Sequence, residues 1–189
     1  MGKAAPSAKA LRAAIGAPVP LVLDADALNL IGASRALASA VGARKEATIV
    51  TPHPAEGARL LGSSTRSVQS DRVAAAREIA RRYRALALLK GNGSVIAEPR
   101  GRFWINPSGN PGMASAGMGD ALAGIIAALL AQEARPLDAL LAGVYLHGAA
   151  ADALAAAGSG PVGITASEVI DSARALLNAA QNRKPSFAP

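Results

Sequence analysis

The chain has no cysteine in 189 residues, which excludes a disulfide framework and any thiolate metal site. Its two histidines, His53 and His147, leave little from which to build a zinc centre. Aromatic residues make up only 3%, so the core must be aliphatic, with small residues at close helix contacts. The same shortage removes the stacking platforms that single-stranded nucleic acid requires. No apolar run reaches membrane-spanning length without a charge or glycine interrupting it, and the first residues lack the apolar centre of a signal peptide. These features fit a cytoplasmic enzyme and give no expectation of a membrane partner. With 51% hydrophobic residues the chain has ample material for a core, and its length suits a single domain.

Basic residues exceed acidic ones, 20 against 13, for a formal charge of +7. Clustered arginine and lysine would suggest nucleic acid. Apart from Arg81, Arg82 and Arg84 the basic residues are scattered, which describes a solvated surface that favours anionic metabolites, with no nucleic-acid partner expected.

Short apolar runs end in chemistry-bearing residues. PLVLD (20–24), ATIVT (47–51) and LALLK (86–90) read as buried strands, the first two parallel, opening at their carboxyl ends onto Asp24, His53 and Lys90. Residues 27–43, 54–61 and 67–84 read as intervening helices, the first with polar breaks. Val95–Glu98 and Arg102–Ile105, joined by PRG, read as a hairpin. Helices follow from Asp120, over 137–156, and over 166–180, where Thr165 and Glu168 form a capping-box pattern. Residues 183–189 read as a disordered tail. Alternating strands and helices followed by a helical half predict an α/β domain with a mostly parallel sheet.

The stretch GNPGMASAGMGDALAG (109–124) crowds glycines around Asp120 immediately before a helix. Free amides at the positive end of a helix dipole, with glycines allowing close approach, suit a phosphate; the alternative is an ordinary loop in which Asp120 complements the dipole. KGNGS (90–94) offers two glycines and a hydroxyl after a strand, suited to phosphate or ribose contact or simply to a tight turn. Asp24 and Asp26 could orient hydroxyls or metal-bound water, or could fix a turn and cap a helix. Prolines on both sides present His53 at a fixed angle. His147, inside a helix beside Gly148, reads as a packing residue.

Taken together, VLDADALN, TPHPAE, LLKGNGS, INPSGNPGMASAGMGDALAGIIAALLAQ and AGVYLHGAAAD closely resemble the ADP- or ATP-dependent NAD(P)H-hydrate dehydratases, in order over nearly the whole chain. The resemblance implies a ribokinase-like α/β sandwich over residues 1–182. It also implies nucleotide- and Mg2+-dependent removal of water from hydrated NADH and NADPH, through phosphorylation of the ring hydroxyl. Under it Asp120 is the general base, the amides of 116–119 hold the transferring phosphoryl group, and Lys90, Gly91, Asn92, Gly93, Ser94 and Gly119 contact the adenine nucleotide. His53, Asp120 and Gly2 would contact the hydrated dinucleotide; metal ligands are not assigned. The family also suggests a homotetramer. A small-metabolite kinase of the same fold, and a non-catalytic nucleotide- or nucleic-acid-binding remnant, are the alternatives.

The chain departs from the family at Ala55, where glycine is usual, and at Ala116, where a methyl would cost about 1 kcal/mol if the position required positive φ. The family domain also begins with strands and a helix that would precede Met1, so the sequence reads as an amino-terminally truncated domain, through a late-assigned start or a real loss. An exposed sheet edge is expected where those strands belong.

Overall fold

The structure, a computed structural model, describes residues 5–182; Gly2 and the tail at 183–189 lie outside the described residues. Five short strands, β1 (Leu21–Leu23), β2 (Thr48–Val50), β3 (Leu86–Leu89), β4 (Val95–Ala97) and β5 (Phe103–Ile105), form one sheet in chain order. β1, β2 and β3 pair in parallel, while β4 pairs antiparallel with both β3 and β5. Four strands therefore point one way and β4 the other. Among the described residues β1 has a strand neighbour on one side only, so it forms an edge.

Alternation along the central strands divides the core into two faces. Val50 and Leu89 join Leu28, Ile31, Val41 and Ile79 on one side. Ile49 and Leu88 join Leu122, Ile126, Leu140 and Val144 on the other. The first layer comprises α1 (Ala5–Gly16), α2 (Asp26–Ala33), α3 (Arg35–Gly42), α4 (Pro54–Leu61), α5 (Thr65–Ser70) and α6 (Arg72–Tyr83). The second comprises α7 (Met118–Ala131), α8 (Pro136–Ala156) and α9 (Ala166–Asn182). The result is a sheet between two helical layers. Burial of both sheet faces explains why the strands read as continuous apolar runs.

Helix α1 was not anticipated. The run at 27–43 divides at Ser34, whose Oγ accepts from Leu37 N–H, and the predicted helix at 67–84 divides at Asp71, whose Oδ1 accepts from Ala74 N–H 2.8 Å away. Helix α8 is long and apolar enough to cross a membrane by length and composition alone. Its Ala139, Leu140, Val144, Ala150 and Ala151 are buried in the core, which accounts for that composition.

Candidate functional site

The parallel strands deliver Asp24, the Thr51–His53 segment and Lys90 to one edge of the sheet. The ladder continues past the strand ends. Thr51 N–H donates to the Leu23 carbonyl at 3.1 Å, and Lys90 N–H to the Pro52 carbonyl at 2.9 Å, which fixes the three chain exits side by side. Lys90 Nζ then reaches both Asp24 carboxylate oxygens, at 2.7 and 2.9 Å. The two side chains are 21% and 11% exposed, so each charge compensates the other largely away from water. Asp24 Oδ1 also accepts from Ala25 N–H at 2.8 Å, and Ala25 carries a positive φ of 50°, a strained conformation for a residue with a β-carbon. Asp24 is thus a partner for Lys90 and a fixer of the turn. Asp26 enters the first turn of α2, and Ala25 holds the cap position.

Above this ion pair helix α7 begins. Gly117, at φ 83°, occupies its cap position, and no side chain caps it. The first intrahelical bond runs from Ala121 N–H to the Gly117 carbonyl at 2.9 Å, leaving the amides of Met118, Gly119 and Asp120 without helical acceptors. The positive φ falls on Gly117 and not on Ala116, so the Ala116 methyl carries no left-handed penalty. A β-carbon on Gly119 would lie 3.4 Å from Lys90 Nζ and 3.5 Å from Asp24 Oδ2, so the helix start rests directly on the pair.

The Lys90–Ser94 loop is closed by its own hydroxyl. Ser94 Oγ accepts from Gly91 N–H at 3.2 Å and donates to the Gly91 carbonyl at 3.0 Å. A third segment, 106–115, is held on α8. Ser108 Oγ contacts the Tyr145 carbonyl at 3.0 Å, while Asp152 accepts from Gly109 N–H at 2.8 Å and from Asn110 Nδ2 at 3.0 Å. Between these three segments lies a cavity of about 640 Å³, with Leu122, Val144 and Met113 supplying apolar wall. All six residues expected to contact nucleotide, Lys90, Gly91, Asn92, Gly93, Ser94 and Gly119, line it.

Asp120 is exposed on the first turn of α7, next to Gly119 but outside the cavity wall. His53 also stands outside it, beside Pro52, the residue that accepts from Lys90. Its Nδ1 accepts from Ala55 and Glu56 N–H at 3.1 and 3.4 Å, and Glu56 Oε2 accepts from His53 N–H at 2.8 Å. The imidazole therefore caps α4, a local role that flanking prolines did not disclose. His147 packs inside α8 as expected, yet it also forms part of the cavity wall. It is 6% exposed, and its Nε2 finds no partner among the described residues. Burial pushes its pKa down to about 4; the backbone of Met118 acts against that shift and the charge of Lys90 with it. Arg72, which nothing in the sequence singled out, donates to the carbonyls of Leu89, at 3.2 Å, and Asn92.

A glycine-rich loop after a central strand, facing an uncapped helix start across the carboxyl edge of a sandwiched sheet, is an arrangement many α/β folds share, and likeness to solved structures narrows it to the ribokinase-like class. The solved structure of a ribokinase-like superfamily protein from Enterococcus faecalis V583 agrees, with a TM-score of 0.74 at 26% identity over 96% of this chain and 60% of that one. Within that class, the family model described as NAD(P)H-hydrate dehydratase matches residues 1–174, and the chain belongs to that family. The ADP-dependent (S)-NAD(P)H-hydrate dehydratase of Neisseria meningitidis serogroup B is 45% identical over 159 residues, 84% of this chain and 53% of that protein. The Bacillus subtilis ADP/ATP-dependent NAD(P)H-hydrate dehydratase, co-crystallised with ATP and Mg2+, superposes with a TM-score of 0.83 at 32% identity, covering 95% of this chain and 61% of that one. The chain thus spans about half the length of the Neisseria relative.

Proposed function

We propose that this chain acts in nucleotide-dependent dehydration of the S epimer of hydrated NADH and NADPH. The observation that carries the reading is the single cavity that sets the Lys90–Ser94 loop opposite the uncapped start of α7. Phosphates of ADP or ATP would lie between the loop and the helix amides, with Lys90 supplying positive charge. Asp120, exposed beside Gly119, would accept the proton of the ring hydroxyl as its oxygen attacks the terminal phosphorus and the bond to the nucleotide breaks. Phosphate then departs from the ring carbon, pushed by the nitrogen lone pair. Loss of a proton from the adjacent carbon restores the double bond.

No group of three metal-ligating side chains occurs among the described residues, and Asp24 is engaged by Lys90. The residues present therefore fit magnesium carried in on the nucleotide's phosphates, where it would neutralise charge. His53 would meet the dinucleotide from the β2 exit. Gly2 keeps the role that family resemblance gives it.

The test is incubation of the chain with hydrated NADH, ADP or ATP, and magnesium. Recovery of NADH absorbance with release of inorganic phosphate is expected. A stable phosphorylated product of another small metabolite would support a kinase instead, and ADP binding without any turnover would overturn the catalytic reading.

A further inference from the structure

The guanidinium of Arg72 lies behind the Lys90–Ser94 loop, at the amino terminus of α6. It spans two carbonyls, Leu89 at the end of β3 and Asn92 at the loop's tip, and so ties the loop to the strand it leaves. Its fit against the loop is close. A β-carbon on Gly91 would stand 2.8 Å from Nη2 and 3.2 Å from Cζ, so the space a side chain would take is filled by the guanidinium. Gly91 and Gly93 have φ of 148° and 62°, a backbone path that turns successive peptide planes in ways other residues resist.

Peptide planarity converts this anchoring into a direction. In a trans peptide the carbonyl and the following N–H point opposite ways. Because the Asn92 carbonyl is drawn onto Arg72, the Gly93 N–H must face away from it. Gly93 lines the cavity, and its N–H has no acceptor among the described residues. We propose that Arg72 is a positioning residue, which aims the Gly93 amide into the cavity as a donor to a nucleotide phosphate. The inference rests on reading this loop as a nucleotide contact. It adds a residue that touches no ligand, and it assigns the phosphate contact to one amide in particular. The fixed positive charge behind the loop also favours an anion in front of it.

Calorimetric titration of the whole chain with ADP and with adenosine, together with the 15N–1H signal of Gly93, tests this. In the wild type ADP should bind and shift the Gly93 amide proton downfield. Arg72→Met should weaken ADP about tenfold, the scale of one lost charge-assisted phosphate contact, leave adenosine affinity unchanged and abolish the Gly93 shift. Should Arg72→Met fail to fold, Arg72→Gln, which keeps a donor for one carbonyl but cannot span both, is expected to weaken ADP in the same selective way. Equal weakening of ADP and adenosine would reveal a merely structural role and overturn the proposal. So would variants that bind ADP like the wild type with the Gly93 shift intact, and either result leaves the loop's nucleotide role standing. A wild type that binds no ADP would remove that role, and this proposal with it.

Discussion

Under the proposed function, Gly119 is a position where a missing side chain would serve binding without serving the fold. It lies within the first turn of α7, where alanine is intrinsically better than glycine by about 0.5–1 kcal/mol. A methyl there would rest at ordinary contact distance, 3.4–3.5 Å, from the Lys90–Asp24 pair. Gly119→Ala should therefore keep its unfolding free energy within about 1 kcal/mol of wild type in urea denaturation. ADP titration should nevertheless show affinity reduced by about tenfold, because the methyl occupies the approach to Lys90 and the helix amides. His147 makes the converse case, a polar group whose burial is felt in stability. Unfolded, its imidazole titrates near 6.5, and folded near 4, so in the window between only the unfolded chain takes up the proton. Its contribution is complete above 6.5 and is lost as pH falls toward 4. Between pH 7.5 and 5 this removes about 2 kcal/mol of stability. His147→Gln, which does not titrate, should lose that much less over the same interval, as measured by denaturation at the two pH values.

At the scale of elements, the site depends on how tightly segment 106–115 lies on α8. Gly148 is the point of closest approach: a β-carbon there would be 2.3 Å from Ser108 Oγ and 2.7 Å from the Ser108 carbonyl carbon. Gly148→Ala must push the segment off the helix, at a cost of about 1–3 kcal/mol. A lowered Tm is expected, together with faster hydrogen exchange at Gly109, whose N–H is held by Asp152. The apolar strands were legible because a strand buried on both faces needs an unbroken run, and each run ends at a chemistry-bearing residue. That six of the expected residues share one cavity wall was legible only through the family resemblance, since the glycine-rich segments by themselves fit a tight turn or an ordinary loop equally well. The helix breaks were harder. Ser34 is one of the polar breaks in its run, while Asp71 stands in the polar stretch 69–72, of a kind an unbroken amphipathic helix also carries, and only the cap hydrogen bonds show that a new helix starts there. The tertiary links could not be read at all. Lys90 and Asp24 are 66 positions apart and Arg72 and Asn92 are 20, and neither pair leaves a periodicity or spacing in the chain. His53 was legible only in part, because a histidine between prolines looks presented for chemistry while nothing in its spacing shows that its Nδ1 also caps α4.

Across the whole molecule, the feature without a local purpose is the outer side of β1. Leu21 N–H donates to Ala47 and the Leu23 carbonyl accepts from Thr51, so the alternation of a strand turns the N–H and carbonyl of Val22 outward. Among the described residues no strand takes them up. An apolar edge of this kind is a template for pairing with another chain. Opposing it is the formal charge of +7, which makes copies repel one another at low ionic strength, with a range that falls to a few ångströms in molar salt. The two effects together predict self-association that grows with protein concentration and strengthens as salt is raised, the reverse of assembly through ion pairs. Val22→Pro removes the outward N–H while sparing the bonds to β2, which belong to Leu21 and Leu23. Sedimentation velocity at low and high salt should show association in the wild type and its suppression in Val22→Pro. Association that weakens with salt, or that survives the proline unchanged, would place the contact on the charged surface and not on this edge.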